Sequence, residues 1–152
     1  MNPIDPAAHS SRWTWPQLLA GAIGAVYTAV GVAGFAKTGF ADYWDAMDSL
    51  LGFMVTPFHN TVHLVIGLVG LALASTLPRA RVYGWLLAVG YGATFVYGLF
   101  AVGESWDPLG INTADNWLHG VSTLLGLLVA LGPVRRDESP VKEVRAGNRS
   151  EP

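Results

Sequence analysis

The sequence contains no cysteine. That single absence excludes disulfides, thiolate zinc sites, iron–sulfur clusters and thiol nucleophiles. Any metal would have to be held by imidazole, carboxylate, carbonyl or water. Charge is also scarce. Of 152 residues, 13% are charged and 51% hydrophobic, where a soluble domain carries about 25% charged residues. The formal net charge of −2 gives no basis for a nucleic-acid partner, which requires a concentrated basic surface.

All the charges but Asp115 fall outside four long apolar runs: Gln17 to Ala36, Phe58 to Leu77, Tyr83 to Gly103 and Ala114 to Pro133. A run of roughly 18 or more apolar residues can cross a bilayer core of about 30 Å as a helix. The pattern therefore predicts an all-α, polytopic membrane protein, a four-transmembrane-helix bundle of one domain, with the lipid bilayer as its first partner. Residues 1–16 form a short N-terminal segment in which Pro3, Pro6 and Pro16 oppose a helix. Trp13 and Trp15 suit the membrane–water boundary. Residues 17–133 make the transmembrane domain, and 134–152 a polar tail expected to be disordered. A signal peptide is the rival for the first run. It fits poorly, because only Arg12 precedes the run and its apolar length exceeds the usual 7 to 15 residues.

Between the first two runs, Asp42, Asp45 and Asp48 face a single Lys37, while Trp44, Met47, Leu51 and Met54 recur at helical spacing. This predicts a short helix lying in the interface. Thr56-Pro57 reads as an N-cap followed by proline at the first helical position. Pro78 is expected to end the second span, and Arg79-Ala80-Arg81 to form a tight basic loop. Basic residues set orientation. Arg12, Arg79, Arg81, Arg135 and Arg136 share one side and Lys37 the other, so both termini are expected in the cytoplasm and the acidic loops outside.

Two segments repeat one pattern. Asn60 and His63 at the head of the second run match Asn116 and His119 at the head of the fourth. Three of the four histidines lie here; the fourth, His9, reads as a solvated tail residue. Residues four apart share a helix face, which stacks His59 on His63 and Asp115 on His119. Small residues follow on the same faces: Gly67, Gly70 and Ala74 in one copy, Thr123, Gly126 and Ala130 in the other. In lipid such residues mark helix–helix seams, so both histidines should point into the bundle. The fold is then two pseudo-repeated helix pairs related by a two-fold axis along the membrane normal. The first and third runs align less well.

Two readings of the cluster compete. One is a hydrogen-bond seam at a wet interface, capped by Thr56 and Thr113, in a non-enzymatic accessory or scaffold protein. The other is a divalent-metal site for sensing, storage or metal-assisted chemistry, with His59, His63, Asp115 and His119 as ligands; three imidazoles and a carboxylate suit zinc and other first-row ions. No His-Glu-x-x-His pattern and no further general base is present, so no enzyme is indicated. The inner halves of the runs lack ionisable residues, which argues against a proton relay through the membrane.

His59-Asn60-x-x-His63-Leu64 with its following Gly-Leu run, together with Asn112-x-x-Asp115-Asn116-x-x-His119, resembles the bacterial four-helix membrane proteins grouped as domain of unknown function 4383. The resemblance covers roughly Gln17 to Leu131. It implies four spans and a bacterial inner-membrane location, multi-pass, and brings no ligand, activity or site residues. Beyond lipid, a homo-oligomer or a larger membrane complex is the partner class left open.

Overall fold

The structure, a computed structural model, describes residues 13–44, 47–107 and 109–134. The N-terminal segment with His9 and Arg12, and the expected disordered tail with Arg135 and Arg136, lie outside the described residues apart from Trp13 to Pro16 and Val134. Four helices account for most of the rest: α1 (Trp15–Thr38), α2 (Pro57–Leu73), α3 (Leu77–Ala101) and α4 (Thr113–Leu131). Two of them, α1 and α3, are long and apolar enough to cross a membrane. α2 is apolar but has 17 residues, and Asp115, Asn116 and His119 dilute the 19 residues of α4.

The helix starts follow from local chemistry. Gln17 reaches back to the backbone N–H of Thr14 (3.1 Å) as α1 begins. Thr56 Oγ1 accepts from His59 N (3.1 Å) and caps α2, with Pro57 in the first turn. At α4 the cap is Asn112 rather than Thr113: Asn112 Oδ1 accepts from Asp115 N (2.8 Å). The third helix corrects a boundary. It begins at Leu77, not Tyr83, and Arg79-Ala80-Arg81 forms its first turns instead of a loop. Pro78 opens this helix because first-turn N–H groups have no intrahelical acceptor, so proline loses nothing there. α2 has already ended at Leu73.

The segment between α1 and α2 departs from expectation as well. In place of an interfacial helix it holds an antiparallel hairpin of β1 (Asp48–Leu50) and β2 (Phe53–Val55), pairing Asp48 with Val55 and Leu50 with Phe53. Leu51 and Gly52 turn it with φ of 55° and 90°. Two successive positive φ values are the signature of a two-residue hairpin turn, and Gly52 supplies one without strain. A tertiary bond rewards the extended form, since Met54 N donates to Asp115 Oδ2 (3.0 Å). The helical spacing of Trp44, Met47, Leu51 and Met54 carried no such partner.

α1 packs along α2 and α3 along α4, while α2 and α4 hardly touch through their backbones. The seams within each pair are glycine contacts. A Cβ on Gly24 would lie 2.7 Å from Leu71 N, and one on Gly84 would lie 2.6 Å from Ala130 N. The two pairs correspond position by position, including α1 with α3. Gly34 lies against the Asn60 amide and Gly98 against the Asn116 amide. Two contacts exchange large for small: Gly31 meets Leu64 where Phe95 meets Gly120, and Thr28 meets Gly67 where Thr123 meets Gly92. At the far end Gln17 Nε2 donates to Ala74 O (3.2 Å) and Ser75 O (3.1 Å), and Arg81 at the matching position donates to Gly132 O (3.3 Å). Each closes free carbonyls at the end of its partner helix.

Candidate metal centre

The imidazoles sit where the two pairs meet, under the hairpin. Thr56 holds the first turn of α2, which carries His59, and His63 follows one turn later on the same face. Their Nε2 atoms lie 3.1 Å apart, with the rings edge-on at 4.4 Å. His119 arrives from α4, its ring 6.2 Å from that of His59. One ring nitrogen from each of the three falls within 4.8 Å of the others. His63 and His119 are each 4% exposed, so both project into the interior as the small-residue faces require.

Two tyrosines position this cluster. Tyr27 of α1 lies against His63 (5.1 Å) and Tyr91 of α3 stacks on His119 (5.3 Å, 25°). The tyrosines also stack on each other at 5.3 Å, and the hydroxyls of Tyr27 and Ser122 are hydrogen-bonded. The repeat thus places equivalent aromatics behind equivalent histidines. Sequence reasoning missed both tyrosines. Their signal was present, because they occupy matching places in the first and third apolar runs.

Asp115 is not brought into the histidine group. It stands where the other copy has His59, but its Oδ2 accepts from Met54 N and from Asn112 N (3.4 Å), tying the hairpin to the head of α4. It is 2% exposed. Asn60 donates through Nδ2 to Thr38 Oγ1 (2.9 Å). Among the described residues, the carbonyl oxygens of Asn60 and Asn116 are both buried without a partner, and so are Nδ1 of His63 and Nδ1 of His119.

A cavity of about 200 Å³ adjoins the cluster, and all three histidines line it along with Phe58, Val62, Leu109 and Ile111. Tetrahedral coordination at zinc–nitrogen distances of about 2.0–2.1 Å sets ligand nitrogens about 3.4 Å apart. The His59–His63 separation is already in that range. The nitrogen of the third imidazole lies within 4.8 Å of the other two. The donor set is three neutral-capable imidazoles beside the cavity, a set that could hold a metal ion with one position left open.

All-α architecture, two equivalent helix pairs and a paired Asn/His head define the class of this protein. The family model described as Domain of unknown function (DUF4383) matches residues 17–132, and the chain belongs to that family. No curated protein and no solved structure matches the chain.

Proposed function

We propose that this chain is a four-span protein of the bacterial inner membrane that binds one divalent transition-metal ion through His59, His63 and His119. The observation that carries the metal reading is the convergence of three ring nitrogens within 4.8 Å at the edge of a cavity. Geometry of this kind needs two helices in register, whereas a seam needs only proximity.

The four-span reading rests on polarity. Asn60, His63, Asp115, Asn116, His119 and Ser122 are buried, while the outer faces are apolar on every helix, as at Val26 of α1, Leu68 of α2, Val89 of α3 and Leu124 of α4. A water-soluble bundle would reverse this arrangement, since contiguous apolar surface is normally covered. Lipid tolerates it. α2, about 25 Å long at 1.5 Å per residue, would still cross with local thinning of the bilayer. Arg79 and Arg81 at the head of α3 and Lys37 near the end of α1 favour cytoplasmic termini and an outward-facing centre.

The second reading is a hydrogen-bond seam in an accessory or scaffold protein, which the His59–His63 bond favours. A seam, however, should bond across the helices that it joins, and the His59–His63 bond lies within α2. The deciding experiment is metal analysis of protein purified in mild detergent, stripped with a chelator and titrated with zinc, manganese or copper. One stoichiometric ion, lost in His119→Gln, is the expected result. No bound ion and no shift in melting temperature on titration would overturn it.

A further inference from the structure

We infer that the cavity beside the three histidines is a ligand site, which receives a small molecule bearing a metal-binding head on a short apolar body. The inference rests on the metal reading above and adds what the metal is for: its open position faces a pocket, not solvent.

The walls carry the argument. Apart from the imidazoles, the cavity is bounded by Phe58, Val62, Leu109 and Ile111, with Tyr91 and Thr94 from α3. Thr94 spends its hydroxyl on Gly90 O (3.0 Å), which leaves an almost wholly apolar wall opposite a nitrogen-lined end. A hydrated ion or a fully polar ligand would lose water there without gaining partners, at a cost of several kcal/mol. An aliphatic body gains from the same walls. The volume of about 200 Å³ suits such a body, because an apolar cavity of about 150 Å³ admits benzene. Access is available. Phe58, Val62, Thr94 and Leu109 are only half-buried while Ile111 and the two inner histidines are buried, so the cavity opens between α2 and α3 and closes toward the bundle axis. An exclusively structural metal site would have no use for this space, since its fourth position is filled by protein.

The test uses the full chain in detergent micelles, loaded with cobalt(II), whose visible spectrum reports both its ligands and any change in them. Acetohydroxamate, butyrohydroxamate and hexanohydroxamate are titrated in turn, with gel filtration confirming that cobalt stays on the protein. Each hydroxamate is expected to shift the spectrum. Affinity should rise about fourfold per added methylene, so roughly fifteenfold from the two-carbon to the four-carbon ligand. In Val62→Trp, which fills the cavity, the gradient should flatten. A series flat within twofold on cobalt-loaded wild type would overturn the pocket and leave the metal site standing. A gradient of equal slope in Val62→Trp would trace it to the micelle and overturn the pocket too. Failure of cobalt to load at all would overturn the metal reading, and the pocket with it.

Discussion

Tyr27 and Tyr91 stack at the centre of the molecule with ring centroids 5.3 Å apart and planes 20° from parallel, and each presents its ring to the histidine of its own helix pair. Since α2 and α4 barely meet as backbones, the separation of His63 from His119 is bridged by this aromatic stack together with the packing of α2 on α3 and of α1 on α4. Helices without a histidine of their own therefore help to set the geometry of the histidine cluster.

The two hydroxyls differ, which gives the first prediction. Tyr27 shares a hydrogen bond with Ser122, whereas the Tyr91 hydroxyl is buried with no hydrogen-bond partner among the described residues. Tyr27→Phe should cost about 1 kcal/mol through the lost bond. Tyr91→Phe keeps the ring and removes only an unsatisfied group, so it should be neutral or slightly stabilising. Denaturant unfolding of the two variants in the same detergent gives the comparison, and a larger loss in Tyr91→Phe would show that its hydroxyl has a partner.

The exchanged contacts supply a second prediction. Thr28 fills the space that Gly67 leaves, and in the other pair Thr123 fills the space beside Gly92. Gly67→Thr alone should destabilise strongly, because overpacking a tight seam costs about 1–3 kcal/mol. Thr28→Gly combined with Gly67→Thr removes the clash with Thr28 Oγ1 but leaves the backbone contacts at Thr28 N and Gly24 O, so it should recover part of that loss, as a coupling of about 0.5–1 kcal/mol in the double-mutant cycle. Simple additivity would mean that the pairs are not equivalent at this level.

These exchanges also explain what was legible in the sequence. The Asn/His heads and the small residues behind them keep their identity in both copies, so the interior placement of His63 and His119 could be read directly. α1 and α3 keep the shape of their seams but swap which helix carries the bulk, as with Gly31 and Phe95, and residue matching fails where volume matching holds. Asp115 was assigned to the histidines because they share a helix face. Its actual partner, Met54 N, lies on a hairpin whose existence depends on two positive φ values and one tertiary bond. Spacing along a chain carries neither. Pro78 misled in the same way, since proline marks a helix start as readily as an end and only the packing of Ala80, fully buried, distinguishes the two.

Topology provides the third prediction. With cytoplasmic termini, a reporter fused at Ser49 in the hairpin and one fused after Arg136 should report opposite compartments, the first outside and the second inside. Both fusions on one side would remove the four-span reading and the outward-facing centre. Fusion at Ser49 reporting cytoplasm, with the other outside, would invert the protein and place the histidine cluster on the inner face.

Asp115 and His119 lie one turn apart on α4 and should separate cleanly by mutation. The carboxylate of Asp115 holds Met54 N and Asn112 N, so Asp115→Asn weakens the attachment of the hairpin. A loss of about 1–3 kcal/mol is expected from weakening hydrogen bonds to a buried charged acceptor, with metal stoichiometry unchanged at one ion. His119→Gln should do the reverse. The metal-free protein loses little, because the His119 side chain makes no hydrogen bond of its own among the described residues, while an ion bound as proposed would lose one of its three ligands. Melting curves with and without metal read both effects at once. An ion that binds only the folded state stabilises it by about 2.7 kcal/mol at a hundredfold excess over its Kd. Wild type and Asp115→Asn should both gain that increment, the variant from a lower starting point, and His119→Gln should gain almost none. If Asp115→Asn loses the increment while hydrogen exchange shows Met54 still protected, the carboxylate belongs among the ligands and the three-histidine centre must be enlarged to four.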